Sequence, residues 1–379
     1  MVGPMKGTIR VRENADGSKR YVCQVFAGRD PRSGKKRYVT GTATSEREAH
    51  RLIHRLVGEV ESGTAVRDKA TVNELIAAWL ETAGPAGEYT RSVYAGFIRN
   101  HIEGGIGRIS VAKLRVEDLD LWYIELREKG LAPSSIRKCH NVVRGALTHG
   151  VRWGWIPSNI AVHASPPRVP KPVVKTPDPA TVTKLIDFAE NADPEMAVYI
   201  RLAAVTGARP GEMCGLRWDD LDTDAGELDI RRRVVKTSPE ATVQDLTKTG
   251  KTRQIPLDAG TIDVLTTHRR ICEERAADAG TSIEQSGYIF SDSMDSSTFW
   301  RTDSTSRRFR WICDKSGVEG IPLYGLRHQA ATTLIDKGVD AKTVSDRLGN
   351  SVTTVLSTYT RARTSADRSA ADLMGKMFD

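Results

Sequence analysis

Four segments in the C-terminal part of this 379-residue chain carry side chains able to hold and attack a phosphate ester. They are TGARPGEMCGLRWDDLD with Arg209, LTKTGKTRQIPL with Lys248 and Lys251, LYGLRHQAATTLIDKG with Tyr324, Arg327 and His328, and VSDRLGNSVTTVLSTYTR with Asn350 and Tyr359. Guanidiniums present paired donors in a fixed geometry and keep their protons, so two of them can offset the charge that builds on phosphate oxygens during a displacement. A phenol with pKa near ~10 is a poor nucleophile at neutral pH until its proton is withdrawn or its anion is stabilised by cations. An ammonium can give a proton to a departing oxygen. Taken singly, each residue is ordinary: an exposed arginine is a surface charge, a lysine on a turn is solvated, and a tyrosine in a Ser/Thr-rich stretch is a half-buried packing residue. The chain has no GxxxxGK(S/T) loop, no HExxH and no paired acidic motif with two-metal spacing, so neither a nucleotide loop nor a metal centre is indicated.

In their order and spacing the four segments resemble the active-site boxes of the tyrosine recombinase family. The first matches the family's first arginine box nearly residue for residue, with Arg209 ahead of a short helix carrying Glu212. In the second, Lys248 matches the catalytic lysine, and it is preferred to its competitor Lys251 because the family places its lysine directly before Thr. The third resembles the HxxRH helix start, with Arg327 as second arginine, His328 after it, and Tyr324 where the family has His. The fourth resembles the LGH segment followed nine residues later by the nucleophile, which makes Tyr359 the nucleophile and puts Asn350 where His or Trp is usual.

The resemblance implies a chemistry. Arg209 and Arg327 clamp the phosphodiester, Tyr359 attacks, and Lys248 protonates the leaving deoxyribose oxygen. The product is a 3′-phosphotyrosyl bond and a free 5′-hydroxyl, so strands rejoin without ATP, metal or cofactor. It further implies a site-specific recombinase that integrates or excises a mobile element, acting as a homotetramer on double-stranded attachment sites, with accessory DNA-bending or directionality factors as further partners. Tyr324 and Asn350 motivate an alternative, a DNA-binding regulator on a catalytically decayed integrase scaffold, against which stands the full set Arg209, Lys248, Arg327 and Tyr359. A type IB topoisomerase would share the chemistry, but a basic N-terminal sheet and a compact helical domain favour recombination.

These side chains need a scaffold, and the length calls for two or three domains. The formal charge is +8 overall but +6 over residues 1–66, +3 over 67–165 and −1 over 166–379, so the surplus belongs to the N-terminal part and suits a polyanion. Residues 7–13, 19–27 and 36–42 read as a three-stranded meander separated by NADGS and GRDPRSGK, followed by a Ser45/Glu48 capping box and an amphipathic helix. Basic side chains on these strands (Arg10, Arg12, Lys19, Arg20, Lys36 and Arg37) fit either a DNA groove or a solvated face. Thr71 and Glu74 repeat the capping box, and helical periodicity over 70–157 predicts four helices. Six prolines within 164–179 mark an extended spacer. Helices are expected at 180–191, 195–206, 259–279, 304–316, 325–338 and 340–348, around strands at 226–236 and 252–257.

The expected fold is therefore multidomain and mainly α. It comprises a small three-stranded sheet plus helix at 5–62, which resembles the family's arm-site domain, a helical core-binding domain at 70–163, and an α+β catalytic domain at 175–379. The tail, with Leu373, Met374, Met377 and Phe378, resembles a helix that docks into a neighbouring protomer, the alternative being a frayed terminus. Five widely spaced cysteines without a CxxC pair indicate neither a disulfide frame nor a zinc site. No apolar h-region opens the chain and no apolar run spans a bilayer, so a cytoplasmic protein with no membrane partner is expected.

Overall fold

The computed structural model describes residues 7–13, 17–29, 36–61, 70–85, 87–170, 175–236, 241–244, 252–359 and 374–375, and for Tyr359 the backbone only. Its contacts divide the chain into Met1–Lys171 and Pro172–Asp379.

In the first unit, β1 (Gly7–Glu13), β2 (Lys19–Arg29) and β3 (Lys36–Ala43) form the antiparallel meander in the order β1-β2-β3. Register puts Ile9 opposite Cys23 and Cys23 opposite Gly41, and the buried Cys23, Val25, Val39 and Ala43 pack under Ala49 and Leu56 of α1 (Glu46–Glu61). The helix lies close because two inner positions lack side chains: a Cβ on Gly7 would come within 2.3 Å of Ile53, and one on Gly41 within 3.0 Å of Leu52. Alternation sends Arg10, Arg12, Arg20, Phe26, Tyr38 and Thr40 to the exposed opposite face, where Phe26 and Tyr38 meet edge to face at 5.6 Å. The cap of α1 differs from the expected box. Ser45 accepts from Glu48 N, but the Glu48 carboxylate reaches back to Thr44 N at 3.0 Å, one residue earlier.

The helices α2 (Val72–Thr82), α3 (Glu88–Phe97, running on through a π turn at Ile98–Ile102), α4 (Val116–Glu128) and α5 (Pro133–Arg152) follow. The Thr71/Glu74 capping box forms as expected. Leu75, Ile76, Trp79, Leu119, Trp122 and Val143 fill a shared core, and Gly145 admits the Trp79 ring, which would lie 2.9 Å from a Cβ there. Burial pushes the His140 imidazole down to about 4, so it accepts neutrally from the buried Tyr123 hydroxyl at 2.7 Å.

In the second unit, α6 (Pro179–Ala192) and α7 (Pro194–Thr206) each begin with a proline behind an aspartate cap, Asp178 accepting from Thr181 N and Asp193 from Met196 N. After α8 (Pro210–Cys214) come β4 (Leu221–Asp222), β5 (Glu227–Ile230), β6 (Arg233–Lys236), β7 (Ala241–Gln244) and β8 (Arg253–Pro256). The remaining helices are α9 (Ala259–Asp278), α10 (Thr302–Lys315), α11 (Gly325–Asp336), α12 (Ala341–Leu348) and α13 (Val352–Tyr359). The single strand expected at 226–236 is two: β5 joins β4 and β8, while β6 pairs with β7 in a separate ribbon. Between them Arg231 binds Asp229 at 2.5 Å and Arg232 binds the buried Asp220 at 2.7 Å, pinning both residues out of the ladder. The α12–α13 corner has its own small core, in which Val344, Leu348 and Val355 pack on Ala331 of α11. The tail, except exposed Met374 and Gly375, lies outside the described residues.

Candidate active site

Two glycines shape the site. α7 ends at Gly207 in the left-handed region (φ +63°), where a Cβ would lie 2.3 Å from Leu348 of α12, so only glycine lets the α7–α8 turn meet the end of α12. α12 ends likewise at Gly349 (φ +63°), where a Cβ would meet the Arg253 guanidinium at 2.9 Å. These tertiary contacts bring the Arg209 box, the start of β8 and the Asn350 turn together.

Arg209 occupies the N-cap of α8, and its backbone N–H donates to Glu212 Oε2 at 2.9 Å. Its Nη1 donates to Glu212 Oε1 at 2.8 Å, while Nη2 donates to Gly349 O at 3.0 Å and Asn350 Oδ1 at 2.8 Å. With Oδ1 committed to arginine, the Asn350 amide nitrogen is left as its donor. Glu212 is 2% exposed and also accepts from Arg253 Nη2 at 2.6 Å. Burial pushes its carboxyl up, but the Arg253 hydrogen bond and charge, with the Arg209 N–H and charge, outweigh this and hold it below the ordinary range.

Arg327, in the first turn of α11, is 1% exposed and donates through Nη1 to Gly207 O at 2.6 Å. Its Nε and Nη2 are buried and have no partner among the described residues. Burial, then the charge of Arg209, pull this guanidinium below its ordinary value, though arginine stays protonated at physiological pH. Donors of a buried cation are rarely left unmet, because each costs about 1–3 kcal/mol or more. An anion at Nε and Nη2 would relieve that cost.

Tyr324 precedes α11 and is 41% exposed, its ring edge to face with His328 at 5.1 Å. Burial and the adjacent Arg327 charge push His328 down, so its imidazole is neutral at neutral pH. Tyr359 is the last residue of α13, one helical turn beyond the buried Val355; its side chain, like the whole of Lys248 and Lys251, lies outside the described residues.

The structure thus joins Arg209 to both Glu212 and Asn350, with Arg327 near enough to feel the charge of Arg209. It adds residues that sequence reasoning passed over. Arg253, seen there only as part of a return strand, also donates through Nε to Arg347 O at 2.9 Å, and Arg347 donates to Val205 O and Pro256 O. The available signals were glycines directly after predicted helices, which mark left-handed caps. Nothing in sequence marks Arg253 as buried against Glu212.

The tyrosine recombinase XerC-like protein of Caldanaerobacter subterraneus subsp. tengcongensis is 23% identical to this chain over 393 residues, spanning 96% of this chain and 97% of its own. The Tn1549 transposon integrase in complex with transposon right end DNA superposes with a TM-score of 0.66 at 18% identity, covering 81% of this chain and 100% of that one. A lambda integrase dimer bound to a COC′ core site does so with a TM-score of 0.62 at 18% identity, covering 93% and 95%. At such identity the structural likeness speaks for the fold, a mostly helical chain with a small N-terminal three-stranded sheet and a second sheet beside the site. The assignment itself rests on residues 176–366, which span half of the chain, hold Arg209, Arg327, Asn350 and Tyr359, and match the phage integrase family: this protein belongs to that family, the tyrosine recombinases.

Proposed function

We propose that this chain cuts and rejoins duplex DNA at the attachment sites of a mobile element, with Arg209 and Arg327 holding the scissile phosphate and Tyr359 as nucleophile. The observation that carries the reading is Arg327, a buried cation whose Nε and Nη2 have no partner among the described residues and whose neighbour is Arg209. A non-bridging phosphate oxygen pair accepts from such a fork, and the interaction strengthens as negative charge accumulates in the transition state. The Asn350 amide nitrogen and the Tyr324 hydroxyl supply further neutral donors at the site's edge.

In the proposed reaction the Tyr359 oxygen attacks phosphorus while the phenol releases its proton to solvent, and the bond from phosphorus to the 5′ oxygen breaks. Lys248, preferred to Lys251, gives the 5′ oxygen a proton. Because the phosphotyrosine retains the energy of the broken bond, a 5′-hydroxyl from another strand reverses the step and completes the exchange. Tyr324, a phenol, is a weaker proton acceptor at neutral pH than the histidine it replaces, so turnover is slow unless His328, whose imidazole is neutral there, compensates.

The same reading assigns residues 5–62 to arm-site binding, 70–163 to core-site binding and 175–379 to catalysis. The exposed sheet face with Arg10, Arg12 and Arg20 at one end and the Phe26–Tyr38 pair at the other supports the first. A tetramer of this chain on DNA, with accessory bending or directionality factors, in the cytoplasm, completes the proposal. The test is a nicked core site whose 5′-hydroxyl fragment diffuses away. Wild type should accumulate a covalent protein–DNA adduct and Tyr359→Phe should bind the same DNA without one. An adduct in the Phe variant, or a phosphate mapped to another tyrosine, refutes the assignment; binding without any cleavage by wild type on its own site would make the protein a DNA-binding regulator.

A further inference from the structure

Glu212 is a buried carboxylate held by Arg209, and a carboxylate paired one to one with a phosphate-binding guanidinium cancels much of the charge that guanidinium would bring to its ligand. Here a second cation intervenes. Arg253, 10% exposed at the start of β8, donates to Glu212 Oε2 at 2.6 Å, the same oxygen that accepts the Arg209 backbone N–H, while Arg209 Nη1 uses Oε1. Its Nε donates to Arg347 O at 2.9 Å, and its guanidinium sits where a Cβ on Gly349 would meet it at 2.9 Å, beside the carbonyl that binds Arg209. One side chain therefore ties β8, the α8 cap and the α12 terminus.

We propose that Arg253 is a positioning residue that neutralises Glu212, so that Arg209 keeps its net positive charge toward the scissile phosphate, and that anchors the Gly349–Asn350 turn against which Arg209 is braced. This rests on the proposed role of Arg209 as a phosphate ligand. The charged groups facing Glu212 are Arg209 on its own turn, Arg253 from β8 and Arg327 from α11, with Arg347 of α12 turned to backbone carbonyls. Removing Arg253 leaves Glu212 and Arg209 as a closed, neutral pair. It also leaves the buried carboxyl with one cationic partner fewer, so its affinity for a proton rises, and protonation at lower pH frees Arg209 again.

The measurement is the rate of covalent adduct formation by the full-length protein on the nicked core site, for wild type, Arg253→Gln, Glu212→Gln and the double variant, from pH 6 to 8. Glutamine at position 212 preserves the cap, since its amide oxygen still accepts the Arg209 N–H. Arg253→Gln should be slower by about 10²-fold at pH 8, the scale of losing one transition-state donor. That deficit should narrow as pH falls, and the double variant should regain at least about tenfold of it, since no carboxylate remains to cancel Arg209. If Arg253→Gln melts below the assay temperature, the comparison of the double variant with Glu212→Gln decides: rates within about threefold support charge balancing, and a drop of about 10²-fold overturns it. A wild-type rate in Arg253→Gln, or a double variant no faster than Arg253→Gln at every pH, also overturns it. No adduct from wild type removes the cleavage reading and this inference with it, an outcome distinct from an active wild type indifferent to Arg253.

Discussion

Replacing Arg327 with methionine separates what this residue does for the fold from what it does for the reaction. The side chain is 1% exposed with a single hydrogen bond, to Gly207 O, while Nε and Nη2 have no partner among the described residues. Burying an ion costs several kcal/mol after relaxation, and each unmet donor contributes about 1–3 kcal/mol of that. Methionine, of similar length and apolar, removes the cost. It forfeits a charge-assisted bond worth about 1.5–3 kcal/mol and leaves Gly207 O without that donor. The balance favours the variant by about 1–2 kcal/mol, which for a unit of this size raises the melting temperature by about 2–8 °C. The transition state, by contrast, loses a charged two-pronged donor, and loss of even one such donor costs about 10²–10³-fold, so adduct formation should fall by about 10³-fold or more. Thermal melts and single-turnover cleavage on one preparation test both limbs. A melting temperature lowered by several degrees would refute the reasoning, because Arg327 would then be a satisfied structural cation and not one held open for an anion.

Deleting residues 5–62 should abolish gel-shift binding to arm sites and leave core-site cleavage largely intact, and arm binding by the full chain should weaken steeply with salt because phosphate contacts release counterions. Asn350→Ala, which removes the Oδ1 that accepts from Arg209, should slow cleavage by about tenfold to 10²-fold. Tyr324→His should create a rate that rises through about pH 6–7 as the imidazole becomes a neutral acceptor, whereas Tyr324→Phe should show only a loss. Wild-type rates in both Asn350→Ala and Tyr324→Phe would place these side chains outside the chemistry.

Local physics made much of this protein legible in its sequence. The meander over 7–43 follows from alternation and turn residues, the start of α2 from the Thr71/Glu74 capping box, and α6 and α7 from the helical patterns at 180–191 and 195–206, all of them set by residues a few positions apart. The boxes around Arg209, Arg327, Asn350 and Tyr359 were readable through their resemblance, in order and spacing, to those of the tyrosine recombinase family. Tertiary structure decided what depends on partners far along the chain. It split 226–236 into two strands by pairing β5 with β8 in one sheet and β6 with β7 in another. It buried Arg327 against Gly207, 120 residues away, with two donors unmet among the described residues, and joined Arg253 to Glu212 across 41 positions. It also gave meaning to a charge that the sequence nearly cancels: residues 166–379 sum to −1, yet Arg209 and Arg253 both bind the buried carboxylate of Glu212, and Arg327 lies close enough to feel the charge of Arg209. A net charge adds side chains regardless of place, whereas the field at a phosphate depends on which of them the fold brings within a few ångströms and shields from water.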